Sequence, residues 1–264
     1  MESLVKVHVM RTGYVKVDRA LPYKELESVP PVNVRGENYQ LWLPMSSYLI
    51  EHPQGRIVVD AGWHEDVRKN PLEHLGAAAH FVEYRLPPGA SVIEQLASQG
   101  LSPSDIDLVV VSHMDVDHIS GLKMLQGAKR FWVSELEFKH VKPFKKMWYE
   151  GLPLEPIEFE SIPYGPYNLG KDVFGDGMIY LVHTPGHTMG QLSVLVRLKD
   201  GWLLLASDVG YSERSWKEQL LPGVMTNEEQ AAESLQWVRT FSLREDCLAA
   251  LANHDPLVQP AVYD

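Results

Sequence analysis

An apolar segment that runs directly into a cluster of polar residues constrains this chain more than any other feature. The segment IDLVVV ends at Val111, and the next seven positions include Ser112, His113, Asp115, Asp117 and His118. A nearly continuous β-branched run predicts a strand that is buried on both faces, as in α/β proteins. The histidines and carboxylates that follow it therefore predict a site at the carboxyl edge of a sheet.

Three later segments repeat this pattern of an apolar strand that ends in metal-capable residues. A strand over Met178–Val182 leads through TPG to His187, and the strand in GWLLLASDVGY ends at Asp208, three residues before Tyr211. A third apolar run, in CLAALANHDP, ends at His254. Because α/β folds gather ligands at the carboxyl ends of their strands, one shared metal site would account for all four segments.

The motifs SHMDVDH, TPGH, SDVGY and NHD, with IVVDAGW earlier in the chain, resemble the metallo-β-lactamase superfamily. Within it, the pairing of TPGH with an Asp and a Tyr three residues later is most similar to the N-acyl homoserine lactonases. Motif order and spacing agree from about Val7 to His254. The resemblance implies an α/β fold, an αβ/βα four-layer sandwich of two mixed β-sheets flanked by helices, with a binuclear metal site at one edge.

By resemblance, seven side chains would hold two divalent metal ions. The first ion would take His113, Asp115 and His187, the second would take Asp117, His118 and His254, and Asp208 would bridge both. Asp115 departs from the family motif His-x-His-x-Asp-His, which has a histidine there. Residues two apart on extended chain point to the same side, so His113 and Asp115 can still reach one ion. Zinc is the metal expected by resemblance, and because the carboxylate makes the first site harder, manganese or iron are alternatives.

Other polar residues near these motifs have less specific interpretations. Asp60, at the end of IVVD, is open between a residue that orients a ligand histidine and a plain turn residue. His183 is expected to be structural or to support the site from behind the ligands. The remaining histidines are expected to be surface or hydrogen-bonded residues: His8, His52, His64, His74, His80 and His140.

The ligand set and the resemblance together predict a metal-dependent hydrolase. Two dications would lower the pKa of a shared water, and the resulting hydroxide would open a lactone or related ester, with N-acyl homoserine lactone as the leading substrate. Tyr211 would stabilise the oxyanion, and Asp117 or Asp208 would pass a proton to the leaving alkoxide. Thioester or phosphodiester hydrolysis, a diiron-like oxidoreductase suggested by Asp115, and a noncatalytic metal-binding module are the alternatives.

The composition limits the partners that this chain can have. A formal net charge of −11 argues against nucleic acid, and we interpret the short basic run FKHVKPFKK as a solvated helix face. No run approaches the roughly 18 apolar residues of a membrane span, and the N-terminus lacks signal-peptide features. With a single cysteine, Cys247, we expect a cytoplasmic protein. The expected partner is a small-molecule ester or lactone, and homodimer formation stays open.

The chain has no internal repeat and no Gly/Ser linker, so we expect one domain over residues 1–264. Ser91 with Glu94 has the spacing of a capping box and predicts a helix that ends near Gly100. Thr226 with Glu229 predicts the start of another helix by the same rule.

A helical insertion is expected over the site at about residues 134–170, because Ser134 and Glu137 have capping-box spacing before an apolar stripe. Within it, Met147, Trp148 and Tyr149 are open between the wall of an acyl pocket and the hydrophobic core.

Overall fold

A computed structural model of the protein describes residues 5–24, 34–80 and 82–264, and its centre consists of two facing β-sheets. The strands are β1 (Lys6–Asp18), β2 (Gln40–His52), β3 (Gly55–Val59), β4 (Glu83–Arg85), β5 (Leu108–Val111), β6 (Phe131–Ser134), β7 (Leu154–Ile157), β8 (Glu160–Ser161), β9 (Leu169–Asp172), β10 (Ile179–His183), β11 (Leu192–Arg197), β12 (Trp202–Ser207), β13 (Cys247–Ala252) and β14 (Val262–Tyr263). The α-helices are α1 (Pro71–Leu75), α2 (Val92–Ser98), α3 (Val116–Ile119), α4 (Glu135–His140), α5 (Glu213–Glu218) and α6 (Glu228–Ser242).

Both sheets are mixed. The first has the order β14-β1-β2-β3-β5-β6-β7, with β4 also paired to β1, and the second has the order β13-β12-β11-β10-β9-β8. Strands β3, β5, β6 and β7 run parallel to one another, and β12 is parallel to β13. The neighbours β10, β11 and β12 are antiparallel, so the carboxyl ends of β10, β12 and β13 reach the same edge of their sheet.

Alternating residues of β5 show how the layers are built. Leu108 and Val110 pack between the two sheets, against Leu203 and Leu205 of β12. Val109 and Val111 face the other way, into the cluster that contains apolar residues of α2 and α3. Because burial of each such side chain contributes about 1.5–3 kcal/mol, this strand fixes the position of the loop that follows it.

The second sheet is covered in the same manner by α5 and α6. Trp216 of α5 and Leu235 of α6 pack on its outer face, against Leu204 of β12. The order of layers is therefore helix, sheet, sheet, helix, and the predicted αβ/βα sandwich is confirmed. Among the described residues, no helix is long and apolar enough to cross a membrane.

The helix starts predicted from capping residues have different outcomes. Ser91 and Glu94 form the expected capping box at the start of α2. The cap predicted for α6 is wrong by one residue, because Asn227 accepts the capping hydrogen bond from the backbone N–H of Gln230. The Thr226 hydroxyl donates instead to the backbone oxygen of Gly186, which ties the start of this helix to the TPGH turn.

Residues 134–170 contain α4, a 3-10 turn over Pro143–Trp148, strands β7 and β8, and the beginning of β9. The single-domain organisation with a helical insertion here stays a prediction. Trp148 is buried, and Met147 and Tyr149 pack against the same hydrophobic cluster. The core interpretation of this aromatic segment is therefore the correct one.

Candidate metal centre

The four strand ends identified from the sequence meet between the two sheets. His113, His187 and Asp208 offer donor atoms within 4.8 Å of one another, and we call this group the first triad. Asp117, His118 and His254 do the same, and we call them the second triad.

Asp208 lies between the two triads. Its Oδ2 atom is 3.2 Å from His254 Nε2 and 3.9 Å from His187 Nε2. Its Oδ1 atom is 3.5 Å from His118 Nε2. One carboxylate therefore faces histidines of both groups, which is the position predicted for a bridging residue.

Asp115, the departure from the family motif, lies at the first triad. Its Oδ2 atom is 3.1 Å from His187 Nε2 and 3.7 Å from His113 Nε2. Its other oxygen, Oδ1, accepts a hydrogen bond from Lys145 Nζ at 2.5 Å. Lys145 belongs to the basic run FKHVKPFKK, for which we expected a solvated face, so its contact with Asp115 was not predicted.

The loop after β5 turns its polar residues inward as helix α3 begins. Asp115 is the N-cap residue of α3, in an extended conformation, and its backbone oxygen accepts from the His118 N–H. Asp117 and His118 lie in the first turn of that helix. A short strand followed at once by a helix start thus places three of the predicted ligands within four residues.

The TPGH turn depends on its glycine. Gly186 has φ +134°, and a Cβ atom there would lie 2.3 Å from the Ala231 Cα atom in α6. Only glycine lets the backbone pass this close to the helix in this conformation. The turn that presents His187 therefore packs directly against the backbone of α6, with no room for a side chain at position 186.

Each of the four triad histidines uses its Nδ1 atom for a contact outside the triads. His118 Nδ1 donates to Asp60 Oδ2 at 2.8 Å, and His113 Nδ1 lies 3.1 Å from Ser112 Oγ. His187 and His254 donate from Nδ1 to the backbone oxygens of Val224 and Pro44, at 3.0 and 2.8 Å. Such contacts fix the ring orientation and the tautomer, so all four Nε2 atoms point into the site.

Asp60 is the residue that orients His118, the first of the two interpretations left open by the sequence. Its carboxylate also accepts from the Ser112 backbone N–H at 2.8 Å and from the Ser112 hydroxyl at 2.7 Å. The backbone at Asp60 has φ +59°, a left-handed conformation in which Asp is tolerated better than most residues. This strained strand end places a buried carboxylate behind the second triad.

Glu137 has a second supporting role that its spacing did not reveal. Ser134 Oγ accepts from the Glu137 backbone N–H, as predicted for the start of α4. The Glu137 carboxylate, however, accepts from the backbone N–H groups of Met114 and Gly190, at 2.8 and 3.1 Å. It therefore joins the loop after β5 to the loop after β10.

The residues present fit a pair of divalent metal ions. His113 Nε2, His118 Nε2, His254 Nε2 and Asp208 Oδ1 are buried, and none has a hydrogen-bond partner within the described residues. Leaving such atoms unsatisfied costs about 1–3 kcal/mol each, which a coordinated cation would offset. Imidazole nitrogens with carboxylate oxygens are ligands that suit zinc, manganese and iron.

The electrostatics of the site favour positive charge. Burial alone would raise the pKa of Asp208, but the imidazoles of His254 and His118 hold it well below its usual value. Burial alone would lower the pKa of His187, but Asp115 and Asp208 raise it to about 9. The pKa of His118 is likewise raised well above its usual value by Asp208, Asp117 and Asp60, against the effect of burial.

A cleft of about 430 Å³ opens onto this cluster. Its lining includes residues at or next to the triads, which we call its floor: Asp115, Asp117, His187, Asp208, Tyr211 and His254. The rest of the lining consists of six apolar residues, Val15, Val17, Leu21, Val82, Val116 and Val224, and four polar ones, Lys16, Asp18, Gln40 and Glu83. Met147, Trp148 and Tyr149 are not part of this lining in the described chain.

Tyr211 lies at the floor of the cleft, as its position after Asp208 predicts. Its ring stacks on His254, with centroids 5.1 Å apart and planes 18° apart. Burial and the carboxylates of Asp208 and Asp117 raise its pKa well above the usual value. The hydroxyl is therefore protonated at neutral pH and can donate a hydrogen bond.

The other histidines have contacts outside the triads. His183 Nε2 donates to the backbone oxygen of Met189 at 3.2 Å, which agrees with its expected structural role. His64 and His74 stack at 4.1 Å between ring centroids, and with Asp66 they form a third group that could hold a cation. The Asp66 carboxylate in that group is already paired with Lys69 at 2.9 Å.

Comparison with known proteins gives the class of this chain. Residues 41–251 match the family model of the metallo-beta-lactamase superfamily, which covers most of the chain. The protein therefore belongs to the metallo-β-lactamase superfamily, and its two-sheet sandwich is the fold of that superfamily.

Its relatives include N-acyl homoserine lactonases. The chain is 27% identical over 259 residues to N-acyl homoserine lactonase AttM of Rhizobium radiobacter, covering 96% of this chain and 94% of the relative. A solved N-acyl homoserine lactone hydrolase, with the product N-hexanoyl-L-homoserine at its catalytic metal centre, matches with a TM-score of 0.76 and 21% identity over 97% of this chain and 95% of that one. The dizinc quorum-quenching lactonase AidC matches with a TM-score of 0.68 and 14% identity over 97% and 90% of the two chains.

Proposed function

We propose that this protein is a metal-dependent hydrolase that opens the ester bond of a lactone, with an N-acyl homoserine lactone as the leading substrate. The observation that carries this proposal is the position of Asp208 between the two triads, beside a cleft that is lined by His187 and His254. The relatedness to N-acyl homoserine lactonase AttM over nearly the full chain supports the choice of substrate class.

The proposed ligand roles follow from the two triads. His113, Asp115 and His187 would hold one divalent cation, Asp117, His118 and His254 would hold the other, and Asp208 would contact both. Zinc is the leading metal, with manganese and iron as alternatives. When bound, two such ions lower the pKa of a water molecule towards neutrality and polarise an ester carbonyl.

Tyr211 and Asp117 are the residues proposed to act on the substrate directly. The Tyr211 hydroxyl, protonated and at the cleft floor, would donate a hydrogen bond to the oxyanion that develops at the carbonyl. Asp117 Oδ2 faces His254 at 3.5 Å, which leaves Oδ1 to take up the proton that the attacking water loses and to deliver it to the leaving alkoxide. Asp208 is less suited to that transfer, because its side chain is 3% exposed against 16% for Asp117.

The cleft favours an uncharged acyl substrate over a phosphodiester. Its volume of about 430 Å³ lies within the range of small-ligand pockets, and six apolar residues contribute to its lining. The cation at its rim, Lys16, is paired with Glu37 at 2.9 Å and with Glu83 at 3.1 Å. Among the lining residues that the structure describes, an anionic diester would therefore find no unpaired cationic side chain, whereas the apolar part of the lining suits an acyl chain.

A pH-stat assay tests the proposal directly. Protein reconstituted separately with zinc, manganese and iron is given short-chain and long-chain N-acyl homoserine lactones, and acid release is recorded. We expect release that requires metal, is lost in His118→Ala and is retained in His64→Ala, a matched histidine outside both triads. Full metal occupancy without release from any lactone would reject the proposed substrate class.

A diiron-like oxidoreductase is the second candidate, because Asp115 adds a carboxylate to the first triad. Carboxylate ligands favour harder metals such as manganese and iron over zinc. Iron retained in preference to zinc, together with a visible absorption band and no ester hydrolysis, would support this alternative.

A further inference from the structure

The carboxylate of Asp115 is shared between two partners of different kinds. Oδ2 faces His187 Nε2 at 3.1 Å, within the first triad. Oδ1 accepts from the ammonium of Lys145 at 2.5 Å. Charge-assisted bonds between an ammonium and a carboxylate are among the stronger hydrogen bonds that proteins form, and the two oxygens of this side chain have separate partners.

The segment that carries Lys145 is anchored by a buried tryptophan at its end. The 3-10 turn over Pro143–Trp148 ends at a buried tryptophan, whose indole N–H donates to the backbone oxygen of His74 at 2.7 Å. Lys145 is 15% exposed at its side chain, whereas its neighbour Lys146 is 62% exposed and pairs with Glu150. Of these two adjacent lysines, only Lys145 is directed at the metal ligands.

The charge of the site explains why a lysine belongs at this position. In the family motif the position of Asp115 is occupied by a histidine, which is a neutral ligand when it binds a metal. Asp115 adds a negative charge to a site that already contains Asp117 and Asp208. The ammonium of Lys145 cancels this charge, and because it occupies Oδ1, only Oδ2 is free to face the first triad.

We propose that Lys145 is a positioning residue: it cancels the charge of Asp115 and occupies Oδ1, so that only Oδ2 can act as a ligand. The Asp115–Lys145 pair, neutral overall, then takes the place of the motif histidine. This inference rests on the proposed function as a metal-dependent hydrolase. The pair matters as a unit, since either residue alone would shift the charge of the first triad by one.

A double-mutant cycle tests the proposal with zinc affinity as its first readout. Lys145→Met leaves the Asp115 charge uncancelled, so zinc should bind at least about tenfold more tightly in competition with a chelator. Asp115→His leaves the ammonium unpaired beside the cation, and zinc should bind at least about tenfold more weakly. The double variant restores a neutral pair and should return to within about threefold of the wild-type affinity.

Turnover of zinc-saturated protein is the second readout. Each single variant should have a lower kcat than the wild type, and the double variant should recover most of the lost kcat. Lys145→Met should therefore lower kcat in the wild-type background but raise it in the Asp115→His background. Lys145→Arg should keep the wild-type affinity and rate, and Lys146→Met is the matched control that should change neither. Recovery in the double variant separates this role from a merely structural one.

Two results would overturn the role of Lys145: zinc affinity that is unchanged in Lys145→Met, or a kcat that Lys145→Met lowers in both backgrounds. The affinity series needs no substrate, so it is independent of the proposed function. If the zinc affinities of the variants change as predicted but no lactone is hydrolysed, the role of Lys145 is supported and the proposed substrate is rejected. If lactone is hydrolysed but the zinc affinities are all equal, the substrate is supported and the role of Lys145 is rejected.

Discussion

Replacement of Asp60 by asparagine tests whether the residues behind the triads control metal binding. Asp60 Oδ2 accepts from both His118 Nδ1 and the Ser112 hydroxyl, and Oδ1 accepts from the Ser112 backbone N–H. In Asp60→Asn one oxygen becomes an amide NH₂ group, which cannot accept from the imidazole. Asn tolerates the left-handed φ of +59° at this position about as well as Asp, so the substitution changes the chemistry and adds no backbone strain.

The expected magnitude follows from the lost contact. Loss of a carboxylate partner behind a ligand histidine weakens metal binding about 10- to 100-fold, or about 1.4–2.7 kcal/mol. The loss should fall on the second triad, because His118 is the triad histidine that contacts Asp60. Binding at the first triad should change by less than about threefold, since His113 and His187 have their own Nδ1 partners.

Chelator competition with zinc, fitted to two stepwise dissociation constants, measures this effect. Asp107→Asn is the matched control, since the Asp107 carboxylate also accepts from a backbone N–H and a side chain but lies away from the triads. Thermal unfolding of the metal-free variant checks that the fold is retained. Wild-type values for both constants in a folded Asp60→Asn protein would refute the orienting role of Asp60.

Further predictions follow from other contacts. Tyr211→Phe should keep zinc loading but lower kcat about 100- to 1,000-fold in the pH-stat assay, because one oxyanion donor is lost. Gly186→Ala should lower the urea unfolding free energy by about 3 kcal/mol or more, since its Cβ atom would overlap Ala231. Glu94→Gln should destabilise the protein by about 1–2 kcal/mol at pH 7, after discounting for solvent screening, because the hydrogen bond from Arg68 lowers the pKa of Glu94 to about 2. Since the folded-state pKa of Glu94 lies below its unfolded value of 4.5, the stabilisation is fully present only above about pH 5 and is lost as the pH falls towards about 2. The difference in unfolding free energy between variant and wild type, measured by urea titration, should shrink over that range.

The sequence predicted the strands and the candidate ligand residues because both follow from local patterns. The continuous apolar run of β5 requires burial on both faces, and Leu108 to Val111 have that burial. The histidines and carboxylates come directly after such runs, so their place in the fold follows from the direction of the strands. No distant contact had to be known for these predictions.

Partners that lie far apart in the chain could not be predicted in this way. Asp60 meets His118 across 58 positions, and Lys145 meets Asp115 across 30. In the run FKHVKPFKK, periodicity does not indicate which lysine turns inward, because that depends on the anchoring of Trp148 beneath the segment. Thr226 and Asn227 are both good N-cap residues, and a hydrogen bond to Gly186 decides between them.

The composition of the triads explains why this site follows from the whole fold. His113 comes from the first sheet, whereas His187 and Asp208 come from the second. The second triad is divided in the same way, because Asp117 and His118 follow β5 and His254 follows β13. Neither triad can form until the sheets pack on each other, so a cation bound at either would stabilise that packing by mass action, by about 4 kcal/mol at a free concentration 1,000 times its Kd. The HMDVDH segment alone supplies only part of each triad, and the strand ends of the second sheet supply the rest.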